Sequence, residues 1–194
     1  VVVDRYGQHF VLQTLTLAMD QRKDLIVNAL QSVFGEIVVV ERNDSAVRKA
    51  EGLEIATGVV AGDTAEPFEI EVNGIHQTID LLEGQKTGIF LDQLDNYAAV
   101  GRHSKDKAVL DCFCNQGGFA LHAAKGGAES VVAVDISAGA VASTEANAEK
   151  NGLSVKAVEA NVFDFLKEAE TAEKKFDLVI LDPPSFTKNR KGVS

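Results

Sequence analysis

The amino-acid sequence predicts an α/β fold, an open parallel sheet covered on both faces by helices and preceded by a small α+β unit. Three observations carry this. Apolar runs at 108–112, 130–135, 154–159 and 176–181 alternate with helical patterns at about 117–125, 138–150 and 162–170. Such alternation implies parallel strands joined by right-handed crossovers. The first run, Val109-Leu110-Asp111-Cys112, passes through Phe113 to Gly117-Gly118-Phe119 and into Ala120-Leu121-His122-Ala123-Ala124, which reads as strand, glycine turn and helix. The last run, Phe176-Asp177-Leu178-Val179-Ile180-Leu181, ends on Asp182-Pro183-Pro184-Ser185-Phe186. An acid and two rigid prolines therefore stand at a strand's carboxyl end, the edge where open α/β sheets bind ligands. The arrangement is a Rossmann-like doubly wound parallel sheet.

The elements before it form a unit over residues 1–82. Phe10 to Leu17 alternates as a half-buried strand does, and Asp20 is placed to cap a helix whose apolar positions Leu25, Ile26, Ala29, Leu30 and Val33 follow a 3.6-residue period. Glu36 to Val40 reads as a second strand. Phe68–Val72 and Ile75–Leu81 flank Asn73-Gly74, a strong hairpin signal. Nothing in this unit resembles a catalytic cluster. Residues 83–100 follow as a joining segment, with a helix over Asn96–Arg102, and residues 101–194 hold the Rossmann-like unit. Asn151-Gly152 is a conventional helix stop.

Composition narrows the class. The 194 residues, 45% hydrophobic, suffice for one sizeable core or two small ones. With no apolar stretch of membrane-spanning length and no leader pattern, a cytoplasmic location is expected and no membrane partner. The chain opens on Val1 and stops at Ser194 just past the second motif, and so reads as a piece of a longer protein. Its two cysteines, Cys112 and Cys114, sit one residue apart, where side chains point away from each other, so they are expected as reduced packing residues. The four histidines are scattered without ligand spacing, and no metal is expected. The net charge of −10 concentrates in residues 1–85, with 6 basic against 14 acidic side chains, so that half is a poor landing surface for a phosphate backbone.

The Rossmann-like unit suits a nucleotide-type cofactor. Gly117 and Gly118 permit close backbone approach at the first turn, and Asp135, ending Val131-Val132-Ala133-Val134, is placed for ribose hydroxyls. A dinucleotide site would carry Gly-x-Gly-x-x-Gly for the pyrophosphate. Asp111 would repel a pyrophosphate but suits a cationic amino group and sulfonium, as in S-adenosylmethionine. Charge therefore favours methyl transfer over hydride transfer.

Three segments together resemble the class I S-adenosylmethionine-dependent RNA methyltransferases. They are Asp182-Pro183-Pro184-Ser185-Phe186, the loop from Asp111 through Phe113 to Gly117-Gly118-Phe119, and Lys86-Thr87-Gly88 with Leu91-Asp92-Gln93. With Ser45-Ala46-Val47-Arg48-Lys49 and Glu51-Gly52-Leu53, the chain is most similar to the 23S ribosomal RNA cytosine-5 methyltransferases that carry an N-terminal PUA domain. The resemblance implies an incomplete class I methyltransferase domain at 101–194, a central α+β domain at 1–82, and a β-hairpin with a linker helix at 83–100. It implies that Asp111, Phe113 and Gly117 line the methionine end of the cofactor, Asp135 binds the ribose, Asn161 and Val162 hold the adenine, and Phe90 and Gln93 close over the site. Asp182 and the Pro183 backbone would meet the polar edge of a flipped base, with Phe186 nearby. Cys114-Asn115-Gln116, Leu94 and Asn161 depart from the Ser-Tyr-Thr, Arg and Asp usual in the family.

Cytosine C5 becomes nucleophilic only after a thiolate adds to C6, and in the family that thiolate comes from a later strand, so neither Cys112 nor Cys114 is expected to serve. The partner implied is 23S ribosomal RNA, with Lys188, Arg190 and Lys191 as phosphate contacts, and a homodimer is compatible with the sequence. Ser185 and Thr187 read as loop hydrogen-bonders. A guanine N-methyltransferase on the same scaffold is the alternative, needing no thiolate. An NAD-dependent oxidoreductase, lacking its phosphate-loop glycines, ranks below it, and a non-enzymatic adaptor ranks last.

Overall fold

The computed structural model describes residues 1–63, 66–82, 84 and 88–185, and these fall into two compact units, the described residues of 1–70 with 77–91, and 71–76 with 92–185. Among the described residues no helix is long and apolar enough to cross a membrane.

The first unit is built on strands β1 (Val2–Tyr6), β2 (His9–Gln13), β3 (Val38–Asn43) and β4 (Ala56–Ala61), adjacent in that order. β1 and β2 are antiparallel, β2 and β3 parallel, and β3 and β4 antiparallel. Helix α1 (Leu17–Asp20) is a single turn and α2 (Lys23–Phe34) makes the crossover that the parallel pair requires. Phe10, Leu12 and Val39 from the sheet meet Val27 of α2 and Ile37, with Ile26, Leu30 and Phe34 at the margin.

Several expectations need correction here. β2 buries Phe10, Val11 and Leu12 in succession, so both faces of this strand are covered and its burial does not alternate. The buried side of α2 is the Ile26, Val27, Leu30 and Phe34 stripe, which leaves Leu25 66% and Val33 71% exposed. Asp20 closes α1 and caps no helix. Its carboxylate accepts from Thr14 Oγ1 at 2.7 Å and from the buried Arg48 guanidinium at 2.8 Å. Arg48, in the short helix α3 (Val47–Ala50), also donates to the backbone oxygens of Thr14 and Glu54. A buried cation is tolerated because it is paired with Asp20 and hydrogen-bonded through Nε and Nη1.

β5 (Phe68–Val72) and β6 (Ile75–Ile79) form the expected hairpin, with Asn73 at φ 52° and Gly74 at φ 76°, the left-handed pair of a type I′ turn. Residues 88–100 carry no strand, and residues 83 and 85–87 of the 83–100 segment in which a hairpin is expected lie outside the described residues. A 3₁₀ turn (Leu91–Gln93) leads directly into α4 (Leu94–His103), since Leu91 and Leu94 recur at helical spacing.

The second unit contains β7 (Ala108–Cys112), α5 (Gly118–Lys125), β8 (Ser130–Asp135), α6 (Ala138–Lys150), β9 (Lys156–Glu159), α7 (Val162–Thr171) and β10 (Leu178–Leu181). All four strands are parallel, in the order β10-β7-β8-β9. One face of the sheet, with Val109, Val131, Ala133 and Ile180, packs against Ala120 and Ala123 of α5. The other, with Leu110, Cys112, Val132 and Val134, takes Val162 of α7 and, at its margin, Phe165 and Leu166. Helices cover both faces, so the fold class read from the sequence holds. The two cysteines belong to opposite faces and are unpaired, as expected of packing residues.

Candidate cofactor site

The chain runs from β7 outward to β8 and β9, then returns to place β10 on the other side of β7. This reversal opens a crevice above the carboxyl ends of β7 and β10, where ligands bind in such sheets. Asp111, Asp135 and Asp182 stand at or just beyond the ends of β7, β8 and β10.

Strand alternation turns Asp111 toward the α5 face, and it is 0% exposed. One carboxyl oxygen accepts from the Ala120 amide at 3.0 Å, in the first turn of α5, and the other is buried without a partner among the described residues. Burial, reinforced by the charges of Asp182 and Asp135 and only partly offset by the Ala120 amide, raises its pKa to about 8. A carboxyl group with one orphaned oxygen is costly in isolation and well suited to a cation brought in by a ligand.

The loop after β7 is held in an unusual conformation. Phe113, Asn115 and Gly117 all have positive φ, at 62°, 49° and 83°. The Asn115 amide donates to Asp135 Oδ2 at 2.9 Å, the Cys114 amide to the Val134 carbonyl at 3.0 Å, and Thr144 Oγ1 to the Asn115 carbonyl at 2.9 Å. A Cβ at Gly117 would fall 2.7 Å from Thr144 Cγ2, and one at Gly118 would fall 2.5 Å from Tyr97 Cζ. Both glycines thus admit neighbouring side chains as well as a tight turn. Asp135 accepts on its other oxygen from the Ser137 amide at 3.0 Å.

Asn161 is the N-cap of α7, its side-chain oxygen accepting from the Phe163 amide at 2.9 Å. Val162 points into the core. Ile136 and Phe163, which the sequence reading passed over, are 70% and 54% exposed beside Asp135 and Asn161. Phe163 contacts Phe113 edge-on, with centroids 6.2 Å apart. Exposed bulky side chains next to a polar strand-end residue are the signal that could have found them. Asp182 and Pro183 are exposed. Gln93 accepts from Asn96 at 2.7 Å in the second unit, whereas Phe90 belongs to the first. Phe186, Lys188, Arg190 and Lys191 lie outside the described residues.

Burial, with the Asp111 charge adding to it, pushes the Cys112 thiol up to about 11 and the Cys114 thiol up to about 12. Among the described residues no group of three or more His, Cys, Asp or Glu could hold a metal ion. His122 is buried, its Nδ1 2.7 Å from the Gly118 carbonyl and its Nε2 3.3 Å from Asn73 Nδ2, and burial lowers its pKa.

A doubly wound sheet with acids on three strand ends and an orphaned carboxyl oxygen at the switch point is a candidate site for a cationic, nucleotide-type cofactor. The profile of the S-adenosylmethionine-dependent methyltransferases matches residues 21–193, and the chain belongs to that family. It is 43% identical over 195 residues to the ribosomal RNA large subunit methyltransferase I of Aeromonas hydrophila and 43% identical over 194 residues to that of Photobacterium profundum. Each alignment covers 98% of this chain and 49% of the relative, so the chain spans about half the length of these curated relatives. Among solved structures, one described as an S-adenosylmethionine-dependent methyltransferase from Streptococcus mutans superposes with a TM-score of 0.82 at 29% identity, over 95% of this chain and 48% of that one. Another, a methyltransferase complexed with SAH, gives a TM-score of 0.83 at 29% identity, over 97% of this chain and 49% of that one.

Proposed function

We propose that this chain is the cofactor-binding portion of an RNA methyltransferase that modifies C5 of a cytosine in 23S ribosomal RNA. The observation that carries the reading is the 43% identity, over 98% of this chain, to proteins named ribosomal RNA large subunit methyltransferase I. The site fits S-adenosylmethionine, because the orphaned oxygen of Asp111 needs the kind of positive charge that this cofactor brings.

In this reading Asp111 receives the ammonium group, Phe113 and the Gly117 backbone line the methionyl end, and Asp135 takes the ribose hydroxyls. The adenine rests by Asn161 and the Val162 backbone, between the exposed side chains of Ile136 and Phe163. The cofactor supplies an electrophilic methyl group on its sulfonium. Asp182 and the Pro183 carbonyl hold the polar edge of an extruded base, and Lys188, Arg190 and Lys191 grip RNA phosphates.

C5 chemistry requires a thiolate under the base. Cys112 and Cys114 are buried in the sheet core with their thiols held protonated, so neither is that nucleophile. The longer relatives, of which this chain spans half, leave room for the nucleophile and a PUA domain in the whole protein. The test is to incubate full-length protein with labelled S-adenosylmethionine and 23S transcript, then map the product. Label on a cytosine C5 is expected. Label on a guanine nitrogen would move the assignment to the thiolate-independent alternative, and no label on RNA would refute the reading.

A further inference from the structure

The cofactor assigned above carries a carboxylate as well as an ammonium group, and a rim lined by Asp111, Asp135 and Asp182 repels it unless a neutral donor stands among the acids. Of the hydroxyls at α6, that of Thr144 is already committed as a donor. Ser137 Oγ caps α6 by accepting from the Ala140 amide, and Thr144 Oγ1 bonds the carbonyls of Asn115 and Ala140.

Tyr97, on α4, is different. Its ring is stacked on His122 at 5.3 Å and meets Phe119 edge-on at 4.7 Å, which fixes its direction. Its Cζ and hydroxyl lie against Gly118, only 2.5 and 2.8 Å from where a Cβ would be. The hydroxyl therefore abuts Gly118, the first residue of α5, and it has no hydrogen-bond partner among the described residues. We propose that Tyr97 is a binding residue of the cofactor site, its hydroxyl donating a hydrogen bond to the carboxylate of the cofactor's methionyl group. This rests on the assignment of S-adenosylmethionine to the crevice.

The chemistry is self-consistent. Burial, together with the charges of Asp111, Asp182 and Asp92, holds the phenol proton in place, so Tyr97 remains a donor at any working pH. A neutral donor costs less to bury than a cation would, and it leaves the Asp111 charge free for the ammonium group.

Calorimetry on wild type and Tyr97→Phe with three ligands tests this. S-adenosylhomocysteine has the whole amino-acid end, its decarboxylated analogue lacks only the carboxylate, and 5′-methylthioadenosine lacks both charged groups. The expected result is a loss of about tenfold or more in the affinity of Tyr97→Phe for S-adenosylhomocysteine, with the other two ligands unchanged. An equal loss on all three would make Tyr97 a packing residue and overturn the proposal, as would no loss on any. If wild type binds none of the three, the cofactor assignment falls and takes the proposal with it. If wild type binds and Tyr97→Phe is unaffected, the proposal alone falls.

Discussion

Replacing Asp111 with asparagine should stabilise the cofactor-free protein at alkaline pH while weakening cofactor binding. Asp111 is wholly buried, with one oxygen bonded to the Ala120 amide and the other orphaned. The unfolded chain ionises this group at its ordinary value of 3.8, whereas the folded protein holds the proton up to about 8. Between those limits the unfolded state is the less protonated one, so stability falls as pH rises and levels off above about 8. At 1.36 kcal/mol per pH step, the folded state forgoes roughly 5 kcal/mol by that point. Asparagine keeps an oxygen for the Ala120 amide and removes the titration, but its amino group occupies the orphaned position at a cost of about 1–3 kcal/mol. The net gain is about 2–4 kcal/mol at pH 8.5, vanishing or reversing at pH 5. The pH-dependent difference between the two conditions, roughly 4 kcal/mol, does not depend on the size of the amide penalty.

Urea unfolding of wild type and Asp111→Asn at pH 5 and 8.5, without ligand, measures it. A stability difference between the two proteins that is the same at both pH values would refute the argument, because Asp111 would then be ionised throughout. The same proton links cofactor binding to pH. Loading a cation requires the carboxylate, so wild-type affinity for S-adenosylhomocysteine should rise close to tenfold per unit from pH 6 toward 8 and then flatten. Asp111→Asn should bind weakly with no such slope.

Gly117→Ala should cost about 2–4 kcal/mol, combining a side chain at φ 83° with a 2.7 Å approach to Thr144 Cγ2. Adding Thr144→Ser removes that methyl group and keeps the hydroxyl, so a double-mutant cycle should show favourable coupling of about 1 kcal/mol. Additivity would mean the loop moves instead. Cys112 and Cys114 should resist iodoacetamide in the native protein at pH 8 and react on unfolding, and residues 1–194 should bind S-adenosylhomocysteine without methylating RNA. Rapid native alkylation, or methyl transfer by that polypeptide, would show that a thiol of this chain reaches the base.

The second unit was largely legible in the sequence because its code is redundant. Each strand, helix and stop is marked several times over, from Val131-Val132-Ala133-Val134 before Asp135 to Asn151-Gly152 after α6. The first unit was harder. β1 and β4 passed unnoticed, and of the α2 stripe read as Leu25, Ile26, Ala29, Leu30 and Val33 only Ile26 and Leu30 pack on the sheet, since Leu25, Ala29 and Val33 satisfy helical periodicity as well as Ile26, Leu30 and Phe34 do. Only the partner sheet decides which stripe is buried. Asp20 looked like a cap because local chemistry permits it, but its real partner is Arg48, 28 residues away.

The site shows the same division. The acids at the strand ends could be named from their positions, but the electrostatic state of Asp111 could not, because it depends on which oxygen finds a donor. That in turn depends on the loop. Phe113 and Asn115 adopt left-handed backbone, which residues other than glycine enter only when the surroundings compel it. The compulsion comes from the Asn115 amide on Asp135 and from Thr144 on the Asn115 carbonyl, contacts that span 20 and 29 residues. Tyr97 escaped attention for a related reason. An aromatic residue in a helix ordinarily marks core, and only the missing side chain of Gly118, 21 positions further on, lets its hydroxyl lie against the start of α5. What the sequence hides in this fold is therefore the set of long-range contacts that turn a glycine pair and three acids into a site with a defined charge.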